Sequence, residues 1–384
     1  MASAWIYQDD HQVKKNGAAK ASWYVGWVDP DGKRCCKSCG PGTWGKLQAE
    51  KLRKKTESEL LTGTYKSQSK KLWKEFRNEY ESKVLAGKAL RTRLQASVSL
   101  DHFERLVKPV KVSSLSATHI AGFIAKRRQE RGRRRGDIIS PFSVNKDCRH
   151  IKAVLAVAVE WGYLTRMPKF RMEKEPGKLP TYVTGDHFAD IYRACEHARK
   201  PKDIPNATPA AWWRALLVMG YMTGWRIGDM LALRRDRLNL EAGTATSLAE
   251  DNKGKRDELV KLHPVVIEHL RRLGGAFSTT VFPWNHNQRT LYTEFARIQE
   301  AAGVKLPCDR THEHTRYCRV YGFHDLRRAF ATMNADKLTA DALQALMRHK
   351  SYTTTQKYIN MARQMDAAVA ALHVPEVLKM GTGS

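Results

Sequence analysis

Tyr358 is the residue of this chain whose chemistry depends most on its neighbours. It stands nine residues after His349 in the stretch LMRHKSYTTTQKYI. A phenol, with a pKa of about 10, becomes a nucleophile only where a base and cations favour its phenolate. Upstream, in HDLRRAFAT, His324 and Arg327 are three residues apart. That spacing puts both on one face of a helix, while Leu326, Ala329 and Phe330 can face a core. An imidazole beside a guanidinium suits a phosphate oxygen. Arg226 lies just after a glycine in TGWRIGDM, where a helix begins. Lys253 and Lys255 occupy DNKGK, the turn of a short hairpin expected around 244–262, and two residues apart they would share one side of a strand. Taken singly, each feature has an ordinary reading: a core histidine, a solvent-facing arginine, a structural tyrosine.

A second group of residues could bind metal. Cys308, His312, His314 and Cys318 place two thiols and two imidazoles within eleven residues. Tetrahedral zinc accepts that donor set, although the spacing is not that of a standard finger. Such an ion would be structural, pinning the loop that leads to His324. Cys35, Cys36 and Cys39 form a weaker set with no obvious fourth ligand.

These groups must be positioned by a chain of 384 residues, of which 42% are hydrophobic. That length suggests two or three domains, and that apolar share excludes global disorder. No apolar run approaches the roughly 18 residues of a membrane span. The start, MASAWIYQDD, lacks the pattern of a signal peptide. Seven cysteines without such a signal point to reduced thiols. A soluble, cytoplasmic protein is expected. The net charge is +28, and it is spread along the chain. Residues 1–170 carry 35 basic against 16 acidic side chains, and residues 171–384 carry 32 against 23. A polyanion held along the whole molecule fits this distribution better than one basic tail does.

Residues 1–64 read as a small β-rich module, with strands at Trp5–Tyr7, Ala21–Val28 and Arg34–Lys37 and a closing basic helix at Trp44–Leu61. Residues 65–168 read as about four amphipathic helices. Their apolar positions include Trp73, Phe76, Tyr80, Val84, Leu94, Val98, Phe103, Ile120, Phe123, Ile124, Ile151, Val154, Leu155 and Ala158. The run Lys126–Gly136 is expected as an exposed loop or helix end touching phosphates. A linker follows at 169–181, with Pro176, Gly177 and Pro180. From 182 to 384 helices are expected at 186–199, 209–222, 227–235, 264–273, 290–302, 324–334, 339–348 and 352–361. The two basic blocks on either side of the linker could close around a duplex.

The ordered set TGWRIGDM, DNKGK, HDLRRAFAT and LMRHKSYTTTQKYI resembles the tyrosine recombinase, or phage-type integrase, family. The resemblance is strongest over 180–370. It implies a mainly α, multidomain protein with small β elements: an arm-type DNA-binding module at 1–64, a helical core-binding domain at 65–168, and a mixed α/β catalytic domain with a C-terminal tail at 182–384. By the same resemblance Arg226 and Arg327 grip the scissile phosphate, and His324 and His349 complete the phosphate and proton-transfer network. Tyr358 is the nucleophile, and Lys253, or Lys255 as its alternative, protonates the leaving 5′ oxygen. Asp229 supports the arginine box. Two positions depart from the family pattern. Arg348 stands where glycine is common and could add a phosphate contact, and Trp225 stands where an aliphatic residue is commoner.

The implied activity is site-specific recombination through a 3′-phosphotyrosine. No cofactor is required for it, structural zinc aside. The implied partners are double-stranded DNA attachment sites, a homotetramer assembled on DNA, accessory DNA-bending proteins and no membrane, which places the protein at the nucleoid. The tail 367–379 has an apolar stripe suited equally to a neighbouring copy or to its own domain. A type IB topoisomerase shares the chemistry, and a non-catalytic DNA-binding regulator would share the scaffold.

Overall fold

The computed structural model describes residues 4–363, apart from 31, 66–68, 133–135, 178–180, 203, 205–206, 251–256, 275–277, 309–312, 315–317 and 350, and gives backbone alone for 360–363. It divides into two units, Met1–Glu175 and Pro176–Ser384, and the division falls inside the 169–181 stretch.

The first unit opens with three antiparallel strands in the order β1 (Ala4–Gln8), β2 (Ser22–Val28), β3 (Arg34–Pro41), with Ile6 opposite Val25 and Gly26 opposite Cys36. Helix α2 (Gly42–Leu61) follows β3 directly and packs on β2. That tight turn needs Gly45, because a Cβ there would lie 2.0 Å from the Gly40 carbonyl oxygen. The strands and α2 match the expectation from sequence. Helix α1 (Asp10–Asn16), between β1 and β2, was not expected. Asp9 caps it by accepting from the Gln12 amide, and it buries no residue, so it has no apolar periodicity to read.

The bundle in the same unit consists of α3 (Trp73–Tyr80), α4 (Leu90–Val107), α5 (Ala117–Arg128) and α6 (Pro141–Glu160). Its core is built on Trp73, Phe76, Leu100, Phe103, Ile120, Phe123, Ile151 and Leu155. Two expectations fail here. Leu94 and Val98 are 59% and 51% exposed, and α4 buries Ala96, Ser99, Leu100 and Phe103 instead. The reason is polar. The Ser99 hydroxyl donates to Asp147 at 2.7 Å, so a small hydroxyl residue takes an inward position that hydrophobicity alone would give to its neighbour. Arg127, in the run expected to be exposed, is buried and donates to the same carboxylate at 3.0 Å. A buried charge demands a partner, and Asp147 supplies it, so Arg127 is unavailable to phosphate. Arg128, next to it, bonds the Ile139 carbonyl.

In the second unit, α7 (Gly185–Ala194), α8 (Pro209–Thr223) and α9 (Ile227–Ala232) precede a three-stranded antiparallel sheet of β4 (Leu238–Asn239), β5 (Thr244–Ser247) and β6 (Glu258–Lys261). Helices α10 (Pro264–Arg271), α11 (Gln288–Ala301), α12 (Phe323–Asn334), α13 (Ala340–Met347) and α14 (Tyr352–Arg363) follow. Helix α8 starts with Thr208 accepting from the Ala211 amide at 3.1 Å and Pro209 in the first turn. It buries Trp212, Trp213, Leu216, Leu217 and Met219 because α10 and α12 both pack on it. A helix apolar all round belongs at the centre. Helix α9 stops at Ala232, short of the expected 235. The Leu233 carbonyl accepts from Val281 at 2.8 Å and Arg234 bridges to Thr280, which draws the backbone out of the helix. Among the described residues no helix is long and apolar enough to cross a membrane.

A cationic candidate active site around Tyr358

Helix α8 ends at Gly224, whose φ of +65° is left-handed. A Cβ there would meet the Phe330 ring at 2.7 Å, so glycine alone lets the end of α8 lie against α12. Its carbonyl accepts from Arg327 Nη1 at 2.5 Å, and Arg327 Nη2 donates to the Met347 carbonyl. Arg327 is thus a guanidinium inside the protein, 1% exposed, that joins the ends of α8 and α13. Burial first, then the Arg226 and Arg348 charges, lower its pKa to about 9, so it stays cationic at neutral pH. His324 lies one turn earlier on α12, exposed. Asp325 between them closes the start of α12 by accepting from the Gly322 amide at 2.7 Å.

Arg226 is the residue before α9 begins, half-buried in extended conformation, with Nη1 3.7 Å from Asp229. The stronger partner of Asp229 is Arg348, which follows α13 with a φ of +52°. A side chain there is strained where glycine is not. Its guanidinium, 4% exposed, pairs with Asp229, lies 4.5 Å over the Trp225 ring, and has Nε 3.4 Å from Glu258 on β6. The expectation that Arg348 contacts phosphate is therefore corrected, since the side chain is buried and its charge is committed to carboxylates. The two departures from the family pattern, Trp225 and Arg348, touch each other.

His349 follows, 8% exposed, with Nδ1 2.9 Å from Thr355 Oγ1, which leaves Nε2 for a ligand. Its ring stacks on Tyr358 at 5.9 Å between centroids and 15° between planes. Tyr358 is also 8% exposed and packs with Phe330, Leu343, Met347 and Ile359. Burial, then the charges of Arg327, Arg226 and His324, hold His349 down at about 4. These interactions place Arg226, His324, Arg327, His349 and Tyr358 in one neighbourhood although they come from three separate stretches of sequence. Lys253 and Lys255 lie outside the described residues, between β5 and β6 in the sequence. Sequence reasoning missed Thr355 and Glu258. Thr355 is the last of three consecutive threonines, and nothing local marks it as the buried one.

The lowered His349 pKa predicts a pH dependence. An unfolded histidine titrates near 6.5, so below that pH the unfolded chain takes up a proton that folded His349 refuses until about pH 4. Folding stability is unaffected by this group above about 6.5 and falls as the pH drops through that window. His324, lowered by partial desolvation of its ring and then by the Arg328 and Arg327 charges, acts in the same direction, but weakly because its side chain is exposed and solvent screens it. Thermal melts of the DNA-free protein should show this decline, and His349→Gln should flatten it. An unchanged pH profile in the variant would contradict a buried neutral imidazole.

Away from this site, the donor atoms of Cys308, His314 and Cys318 all lie within 4.8 Å of one another. His312 is outside the described residues. Cys35 and Cys36 are consecutive on β3 and so alternate in facing. They form no donor group with Cys39 among the described residues.

Residues 182–365 match the phage integrase family, and this part of the chain belongs to that family. The tyrosine recombinase XerC of Xanthomonas campestris pv. campestris (strain B100) is 27% identical over 248 residues, covering 62% of this chain and 68% of XerC. The fold is similar to that of lambda integrase as a dimer bound to a COC′ core site, with a TM-score of 0.58 at 19% identity over 97% of both chains. It is also similar to a lambda integrase tetramer bound to a Holliday junction, with a TM-score of 0.57 at 19% identity over 92% of this chain and 94% of that one.

Proposed function

We propose that this chain is a site-specific DNA recombinase of the integrase kind, cutting and rejoining strands through a 3′-phosphotyrosine on Tyr358. The observation that carries the reading is the meeting of two guanidiniums, two imidazoles and a phenol in one neighbourhood. The phenolic oxygen attacks phosphorus, the bond to the 5′ oxygen breaks, and that oxygen leaves as a hydroxyl with a proton from Lys253, or Lys255 in its place. Neutral His349, beside Tyr358 and with Nδ1 held by Thr355, would serve the phosphate and proton-transfer network through Nε2. Arg226 and Arg327 face the negative charge that gathers on the nonbridging oxygens. Arg327 commits two N–H groups to carbonyls and has three of its five left. Fixed donors of this kind need no reorganisation as the charge develops. The phosphodiester energy is kept in the covalent link, so rejoining requires neither nucleotide nor metal.

The partners in this reading are duplex attachment sites, other copies of the chain up to a tetramer on DNA, and accessory DNA-bending proteins at the nucleoid. The lambda integrase dimer and tetramer on DNA support the first two. Residues 1–64 would serve arm-type sites and 65–168 the core site. The test is covalent trapping on nicked suicide duplexes from a randomised library, scored after denaturation. Protein-linked DNA is expected with the wild type and not with Tyr358→Phe, which should still bind duplex. An adduct formed by Tyr358→Phe would overturn the assignment of the nucleophile. Tight binding with no adduct on native flanking DNA would favour the non-catalytic regulator.

A further inference from the structure

We infer that Cys308, His314 and Cys318 hold a structural zinc-type ion that staples the long connection leading into α12. Residues 302–322 join α11 to α12, a long connection for a compact domain. The described part of this one buries little: Val304 and Tyr321 are in the core, whereas Cys308 and Cys318 are half-buried and His314 is exposed. Its neck is closed by the Leu306 amide donating to the Arg319 carbonyl at 2.8 Å. It is anchored below by the side chain of Gln299, which accepts from the Tyr321 amide at 2.7 Å and donates to the Tyr321 carbonyl at 3.0 Å.

Beyond the neck, the described side chains that converge are the three metal donors. Their atoms all lie within 4.8 Å of one another, and His314 Nδ1 is 3.3 Å from Cys318 Sγ. Two thiols and an imidazole, all ten or fewer residues apart, form the donor set of zinc rather than of calcium or magnesium, which take oxygen. Neither Cys308 nor Cys318 is in a disulfide. On binding, the thiols lose their protons to solvent, and two thiolates neutralise the dication. Water or a further side chain completes the tetrahedron. A segment with too few apolar side chains to hold its own shape gains order from such an ion. The beneficiary is the start of α12, where His324 lies six residues after Cys318. The ion itself takes no part in strand exchange, so this inference stands apart from the proposed activity.

Metal analysis of the full chain, purified under reducing conditions and dialysed against metal-free buffer, tests it directly. About one zinc per chain is expected for the wild type, with the same ratio for Cys36→Ser and loss of the metal in Cys308→Ser. Cobalt exchange should give thiolate-to-metal charge-transfer absorption that Cys318→Ser diminishes. Chelation should lower the melting temperature of the wild type and leave that of Cys308→Ser unchanged. A reduced wild type that holds no stoichiometric metal and produces no thiolate–cobalt band overturns the inference. So does retention of zinc by Cys308→Ser, or a Cys308–Cys318 disulfide in the protein as isolated.

Discussion

Arg327→Lys is expected to lower the rate of strand cleavage by roughly 10²–10³-fold, the range for loss of one preorganised donor at a developing oxyanion. The substitution keeps the charge and changes the geometry. Arg327 is 1% exposed, spans two carbonyls at the ends of α8 and α13, and has further N–H groups for a ligand. A lysine is a compact point charge with three donors and no planar fork. It cannot hold the Gly224 and Met347 carbonyls and a phosphate at once in the same directions. Single-turnover formation of the covalent adduct should fall, while equilibrium binding to duplex, which depends on many phosphate contacts, should change little. Cleavage close to the wild-type rate would show that the fork is not what the reaction needs.

Asp229→Ala is expected to destabilise the second unit by about 3–5 kcal/mol, because it leaves one member of a buried ion pair without its partner. Arg348 is 4% exposed on its side chain and Asp229 is 6% exposed. With Asp229 gone, the guanidinium keeps the Trp225 ring and a 3.4 Å approach to Glu258, too little to offset its burial. The double variant Asp229→Ala/Arg348→Gly should recover much of the loss. It removes both charges together, so neither is left buried without its partner, and returns glycine to a left-handed position. Chemical denaturation of the four proteins of this cycle measures the coupling. Strictly additive losses would mean that the pair is not what secures the chain before His349. Arg226 lies 3.7 Å from the same carboxylate, so the cycle also reports how firmly one proposed phosphate ligand is held.

Local pattern was sufficient for much of this protein. Amphipathic spacing, caps and turns mark the strands of residues 1–64, the four helices of the bundle and the helices of the second unit, because each of those signals is set by residues within one or two turns of each other. The order of the sequence boxes marks the family for the same reason, since each box is a short contiguous stretch. Three of the four metal donors read from spacing also come together in space.

Tertiary structure alone decided which charged side chains are drawn inward and which apolar ones, such as Leu94 and Val98, are left outside. Arg127 and Arg348 sit in runs of basic and polar residues that look solvated, yet each is drawn inside by a carboxylate far away in the chain, Asp147 and Asp229. Leu94 and Val98 are left outside because Ser99 finds Asp147 across the bundle. The contact of Trp225 with Arg348 joins two residues more than a hundred positions apart. Local spacing determined which elements form and which residue types each presents. The burial of a charge depends on whether a partner from elsewhere arrives within hydrogen-bond distance, and that becomes defined only when the chain has folded.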